Sequence, residues 1–401
     1  MWVKRWILLT VFGVLMISMG FVMVLLEQSS QNKTSAGLII IFGVLAVITG
    51  IKRIIKSFVT VFLPEQGSEL VDKIYQKRIL EKGPRIVVIG GGTGLSMLLH
   101  GLKEYSSNIT AIVTVADDGG SSGRLRQEFN VLPPGDIRNC LVALADAEPL
   151  MGRLFQFRFG GDNPLSGHSF GNLFITAMTQ VTGDFDAAIK ESSKVLAIRG
   201  RVLASTLDKV SLVAEHTDGT ETVGESQIPI AKKPIKRVYL RPANCRHNEE
   251  AIDAIRKADA IVLGPGSLYT SIIPNLLVGK VYQEVISSKA VKMYVCNVMT
   301  QTGETDHYKA SDHLKTIVSH TASGIVEYCI INTAKVSNDM LDKYKMEESY
   351  PVIPDSDNLK KMKCKVVEAH ILLTKDYVRH DSVKLAKIII DLVASLKKSR
   401  S

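Results

Sequence analysis

Two adjacent carboxylates open the stretch with the most evident chemistry, Ala116-Asp117-Asp118-Gly-Gly-Ser121-Ser122-Gly-Arg124. Paired carboxylates hold Mg²⁺ through one or two oxygens while the ion keeps most of its waters. A carboxylate at the end of a second parallel strand instead binds ribose hydroxyls. Ser121, Ser122 and the neighbouring glycine N–H groups add anion contacts. The plain alternative is a flexible surface loop. Shortly after comes Leu132-Pro133-Pro134-Gly135-Asp136-Ile137-Arg138-Asn139, stiffened by two prolines and turned by Gly135. Asp136 is placed to cap a helix over 137–145, or to face a ligand. Arg138 would fall in that helix's first turn, where a cation is unfavourable without an anion nearby; a phosphate partner would resolve this. A third stretch, the glycine-rich loop 160–171, carries His168 and leads through Gly171-Asn172 into an apolar helix. His168 and Asn172 would then face an anion at a helix N-terminus, unless His168 is simply structural.

These groups need a scaffold, and the chain supplies it at Arg85-Ile-Val-Val-Ile-Gly90-Gly91-Gly92-Thr93-Gly94. A buried apolar strand runs into a glycine turn, and an apolar helix follows, as in a parallel-sheet domain. Glycines let a phosphate approach the bare N–H groups of the turn. No Gly-Lys-Ser/Thr follows, so this is not the phosphate loop of nucleotide triphosphatases. The dinucleotide fingerprint is only partly met, because Leu95 stands where its third glycine belongs. A second such turn, Gly264-Pro265-Gly266-Ser267, ends an apolar run at 260–263 and leads through Tyr269 and Thr270 into a helix. Two glycine turns from different strand–helix units of one sheet frame a crevice, the usual seat of a nucleotide. Further strands are predicted at 109–115, 291–298 and 325–331. Asn297 lies at the end of one of them, and Arg379 and His380 lie in a late loop that could point into the same crevice. Helices are predicted at 150–159, 185–196, 248–258 and 311–320, the last capped by Ser311. A hairpin over 209–227, with Asp-Gly as its turn signal, and a strand at 238–240 interrupt the alternation. They predict a small β insertion over 209–240 at the edge of the main sheet.

The rest of the chain delivers this domain somewhere. Residues 7–26 and 36–51 are apolar runs at or near membrane-spanning length. Lys4 and Arg5 precede the first and Lys52, Arg53 and Lys56 end the second, with Trp2 and Trp6 where interfacial aromatics belong. Positive charge at both outer ends predicts two spans with both termini, and the α/β domain, on the cytoplasmic side of a cell membrane. Residues 54–62 continue at helical spacing, either along the membrane surface or as the end of the second span. The domain plan is therefore two transmembrane helices with a juxtamembrane segment (1–63), a polar connector (64–84) and the α/β domain (85–401). The formal net charge of +9 is scattered, and no basic helix with interleaved aromatics appears, which argues against nucleic acid. Five cysteines without CxxC spacing fit reduced cytosolic thiols rather than disulfides or zinc.

Gly90-Gly-Gly-Thr-Gly94, Asp117-Asp-Gly-Gly-Ser-Ser122 and Pro133-Pro-Gly-Asp136 together resemble the YvcK/CofD-like family. Leu165-Ser-Gly-His-Ser-Phe-Gly-Asn172, Ile261-Val-Leu-Gly-Pro-Gly-Ser-Leu-Tyr-Thr270 and Cys296-Asn-Val-Met-Thr-Gln301 extend the likeness over residues 85–398. It looks closest to the YvcK branch, the bacterial gluconeogenesis factors, although the membrane hairpin departs from the usual soluble form. The resemblance implies a Rossmann-like α/β fold with helices on both faces of a parallel sheet. It also implies a regulator of cell shape and wall maintenance that binds UDP-sugars such as UDP-N-acetylglucosamine. The expected ligand-binding residues are Gly91, Gly92, Thr93, Gly94, Asp117, Asp118, Ser121, Ser122, Pro134, Gly135, Asp136, Arg138, Asn139, His168, Asn172, Gly264, Pro265, Gly266, Ser267, Thr270, Asn297 and Arg379. The alternative is the CofD branch, whose members transfer a phospholactyl-type group to a deazaflavin with Mg²⁺; here Asp117 and Asp118 would hold the ion. The expected partners are a nucleotide-sugar ligand and the bacterial cytoplasmic membrane, with a homo-oligomer left open.

Overall fold

A computed structural model describes residues 3–26, 30–62, 78–146, 149–374 and 377–400, with side chains omitted at 30–32, 58–62 and 398–400. Trp2, Asp376, the connector stretch 64–77 and the side chains of Phe58, Val59 and Phe62 lie outside the described residues. The chain forms two compact units, 1–78 and 79–401.

In the first unit, α1 (Val3–Leu26) and α2 (Ser30–Phe62) run antiparallel. Glycines set their closeness. A Cβ on Gly13 would lie 2.7 Å from the Gly43 carbonyl oxygen, and one on Gly20 would lie 3.1 Å from that of Ala36. Gly50 packs likewise against Thr10 and Trp6. Such small-residue seams let helix backbones meet where no hydrophobic effect drives them together. Leu8, Phe12, Leu15, Phe42 and Leu45 point outward and stay exposed. Both helices are long and apolar enough to cross a membrane. The 54–62 segment is the uninterrupted end of α2 rather than a separate surface helix. The Arg53 guanidinium lies 5.1 Å over the Trp6 ring.

The second unit is an α/β fold. Strands β1 (Ile86–Gly90), β2 (Ile109–Val113) and β3 (Arg201–Ala204) come first in the chain. The insertion follows as β4 (Ser211–His216), β5 (Glu221–Val223) and β6 (Ile235–Arg241). The chain then adds β7 (Ala260–Leu263), β8 (Val291–Val295), β9 (Tyr328–Asn332) and β10 (Lys365–Ala369). Seven strands pair all-parallel in the order β10-β9-β8-β7-β1-β2-β3, with helices around them. The central strands β1, β2, β7 and β8 are buried at every residue, as expected of strands covered on both faces. A late hairpin, β11 (Leu372–Thr374) with β12 (Val378–His380), closes the unit. The helix Ser382–Arg400 packs on the helix after β1, where Gly101 has no room for a Cβ against the Ser382 backbone.

The insertion is a separate antiparallel sheet in the order β5-β4-β6. Its second strand stops at Val223, short of the expected 227, because Gly224 turns the chain at φ +105°. Two other expectations need correction. The helix expected at 150–159 ends at Gln156, and the helix Ala310–His320 is capped by Lys309. Ser311 lies inside that last helix, where its hydroxyl donates to Asp355 at 2.6 Å.

Candidate nucleotide-binding cleft

Strand β1 lies between β2 and β7, so the sheet order reverses direction there. The helices that follow β1 and β7 diverge from such a point and leave a crevice at the carboxyl ends of the strands. Both glycine turns emerge there and touch. A Cβ on Gly94 would lie 2.8 Å from the Pro265 carbonyl oxygen, and one on Gly266 would lie 3.0 Å from that of Gly91. Gly92, Gly264 and Gly266 adopt φ of +66°, +76° and +155°, which side-chain-bearing residues rarely do. Two asparagines hold the turns together. Asn275 donates to the Gly90 carbonyl at 2.9 Å, and Asn297 donates to that of Gly266 at 2.8 Å. Between the turns and the neighbouring loops lies a cleft of about 660 Å³. Its wall includes Gly91, Gly92, Thr93, Gly94, Pro265, Gly266, Ser267, Thr270, Asn297 and Arg379 of the expected residues. The helix Gly92–Leu102 has no side-chain cap from Gly91 at its start, so the N–H groups that follow Gly92 in its first turn are suited to an anion.

The other expected residues stand behind this wall. Asp136 is not a helix N-cap: the helix Gly135–Leu144 starts before it, with Pro134 at the cap position. Its Oδ2 accepts the Gly92 N–H at 2.7 Å and so anchors the phosphate turn from behind. Burial, aided by the charge of Asp117, pushes the Asp136 carboxyl up to about 6, against the pull of the Gly92 N–H. Burial also raises Asp117, although its Oδ1 accepts the Gly119 N–H at 2.8 Å. Asp118 turns elsewhere, with Oδ1 accepting the Ser226 N–H of the insertion at 2.9 Å. The two neighbours are thus engaged by different partners rather than set as a chelating pair. Among the described residues no three His, Cys, Asp or Glu side chains gather as a metal site.

Ser122 packs against Gly135, where a Cβ would lie 2.4 Å from its hydroxyl. Ser121, Arg138, Asn139, His168 and Asn172 form one polar network. The Ser121 hydroxyl meets His168 Nδ1 at 2.9 Å and accepts from Asn172 Nδ2 at 3.0 Å. Arg138 donates to Ser169, to Asn172 Oδ1 at 3.0 Å and to Asn139 Oδ1 at 2.7 Å. Its cation is thus held by the neutral oxygens of Ser169, Asn172 and its own neighbour Asn139. His168 is 3% exposed, and burial lowers its pKa below the usual histidine value.

Several cleft residues carried no signal in the sequence. Glu304 follows β8 in the loop that begins at Asn297 and is 7% exposed. It accepts from the Ser267 hydroxyl, and burial pushes its carboxyl up to about 7. Ser267 in turn accepts the Thr270 N–H at 3.2 Å and opens the π-helical turn Leu268–Ile272. The place of Glu304 in the loop that leaves the carboxyl end of β8 is the one clue that could have marked it. Glu225 lines the cleft from the insertion. Tyr344 and Tyr377 add aromatic surface, with the Arg379 guanidinium 5.2 Å over the Tyr377 ring. His380 lines the cleft but is 8% exposed and bonds the Cys296 carbonyl at 3.1 Å. Tyr269 is packing, 2% exposed with its hydroxyl on that of Tyr308 at 2.7 Å.

Comparison with known proteins agrees with this architecture. Residues 86–372 match the family described as 2-phospho-L-lactate transferase CofD. The gluconeogenesis factor of Bacillus subtilis is 52% identical over 311 residues, covering 77% of this chain and 98% of that protein. A gluconeogenesis-factor relative from Nostoc sp. is 47% identical over 409 residues, covering 97% of this chain and 90% of its own length. Its similarity therefore reaches into the N-terminal unit. A crystal structure of a Bacillus halodurans protein superposes with a TM-score of 0.76 at 51% identity, covering 77% of this chain and all of that one. The chain thus belongs to the CofD-like family, in the branch of the gluconeogenesis factors.

Proposed function

We propose that this protein is a membrane-tethered regulator whose cleft binds a nucleotide sugar of the UDP-N-acetylglucosamine type. The observation that carries the reading is the meeting of two glycine turns at the point where the strand order reverses. A diphosphate would lie against the N–H groups that follow Gly92 in the first turn and against the backbone at Ser267. The flanking volume and the tyrosine surface leave room for a base and a sugar. The basic ends of the two apolar helices support a cytoplasmic domain held at the cell membrane. The test is calorimetry on the full chain in detergent, titrated with UDP-N-acetylglucosamine, UDP and NAD. Saturable binding of the uridine nucleotides with little response to NAD is expected. No saturable heat at millimolar UDP-sugar would overturn the proposal.

A further inference from the structure

The inserted sheet brings one unsatisfied side chain to the cleft. Glu225 follows β5, and the backbone on both sides of it is held. A Cβ on Gly224 would lie 2.3 Å from Asp118 Oδ2, and the Ser226 N–H is bonded to Asp118 Oδ1. Further on, the insertion docks against the β8 loop, where a Cβ on Gly303 would lie 2.2 Å from the Pro229 carbonyl oxygen. Glu225 and Pro229 both line the cleft. The Oε2 atom of Glu225 is wholly buried and has no hydrogen-bond partner. Folded proteins seldom leave a buried polar atom unpaired, and such an atom marks where an absent donor belongs.

The surroundings define that donor. Asp117, Asp118, Asp136 and Glu304 all act on Glu225 electrostatically, and with burial they push its carboxyl well above the usual range. A second anion is unwelcome there. The glycine turns accommodate the anionic part of a ligand, so what reaches Glu225 carries no negative charge and offers donors: the O–H or N–H groups of a neutral moiety, with a cation the competing case that the Mg²⁺ arm of the test reads. A sugar attached to a diphosphate meets that description. Resting on the nucleotide-sugar reading of the cleft, we propose that Glu225 accepts hydrogen bonds from hydroxyl groups of the ligand's sugar. The inserted sheet is then the element that distinguishes a nucleotide sugar from the bare nucleotide.

The test compares UDP with UDP-N-acetylglucosamine, each with and without Mg²⁺, on the full chain in detergent. Wild type is expected to bind the sugar nucleotide more tightly than UDP. Glu225→Ala should lower affinity for the sugar nucleotide roughly tenfold or more while leaving UDP within about threefold, because only the sugar loses its acceptor. Glu225→Gln keeps one acceptor oxygen and should fall between. Without ligand, Glu225→Ala should melt no lower than wild type, since the orphaned oxygen is gone. Equal losses for both ligands, an unchanged sugar preference, or a defect seen only with Mg²⁺ would each overturn this inference alone. Wild type that binds neither ligand would overturn it together with the nucleotide-sugar reading.

Discussion

At the scale of single residues, the phosphate turn is held by contacts that leave no spare volume. In Gly94→Val the new Cβ would press on backbone atoms of Pro265 and Gly266, which cannot rotate away. A loss of about 1–3 kcal/mol in unfolding free energy is expected from such overpacking. Binding of UDP-sugar should vanish with it; urea denaturation and calorimetry check the two effects. The buried carboxyls make a second prediction. Asp136 and Glu304 have folded pKa values pushed up to about 6 and about 7. An acid raised in the folded state holds its proton more tightly there than in the unfolded chain. Its stabilising contribution is complete below the ordinary carboxyl range and is lost as pH rises through about 6 to 7. The wild-type domain should therefore be more stable near pH 5 than near pH 8 by this component. Asp136→Asn with Glu304→Gln should flatten the dependence, which urea midpoints at the two pH values would show. An unchanged slope would mean that other groups dominate.

At the scale of elements, the insertion depends on a contact from the main domain. Asp118 accepts from Ser226 and has Gly224 packed on it, so Asp118→Ala removes a charged acceptor from the loop that carries Glu225. Bonds to charged acceptors contribute about 1.5–3 kcal/mol. Amide exchange over 221–231 should accelerate about tenfold or more, while β1 and β7 keep their protection. The hairpin makes a parallel case. Gly13 and Gly43 face each other so closely that each Cβ would fall within 2.8 Å of the other's carbonyl oxygen. Gly13→Leu should part α1 and α2. Cross-linking between cysteines placed at positions 17 and 40 in nanodiscs should fall accordingly.

At the scale of the whole molecule, an apolar helical pair and an α/β domain are two compact units of one chain. None of the described residues of the first lines the cleft, and the second holds its own sheet and core. Deletion of residues 3–62 is expected to move the protein from the membrane fraction to the soluble fraction. Its affinity for UDP-sugar should change less than about threefold. Cell fractionation and calorimetry read the two halves of that expectation, and a full-length chain found in the soluble fraction would remove the premise of tethering.

Much of this was legible in the residues themselves. A β-branched run followed by Gly90-Gly-Gly-Thr-Gly94, and its counterpart at 260–267, specify buried parallel strands ending in open turns. Burial on both faces and a missing Cβ are local requirements. The two long apolar runs were equally legible, since length and hydropathy decide them. Strand β3 was not, because four residues at a sheet edge carry no periodicity. Nor was the division of labour among the polar motifs. Asp136, His168 and Asn172 have residue types that suit a ligand as well as each other. Only packing shows Asp136 on the Gly92 N–H and the other two joined through Ser121. Glu225 and Glu304 are ordinary single carboxylates in sequence. Their burial and their meeting across the cleft arise from loops 79 residues apart in the chain, read from positions 225 and 304. The amino-acid order determined where the chain turns, where its long apolar runs lie and where most of its strands begin. Tertiary contact decided which polar atoms face a ligand, because satisfaction of a buried donor or acceptor depends on neighbours that no local pattern records.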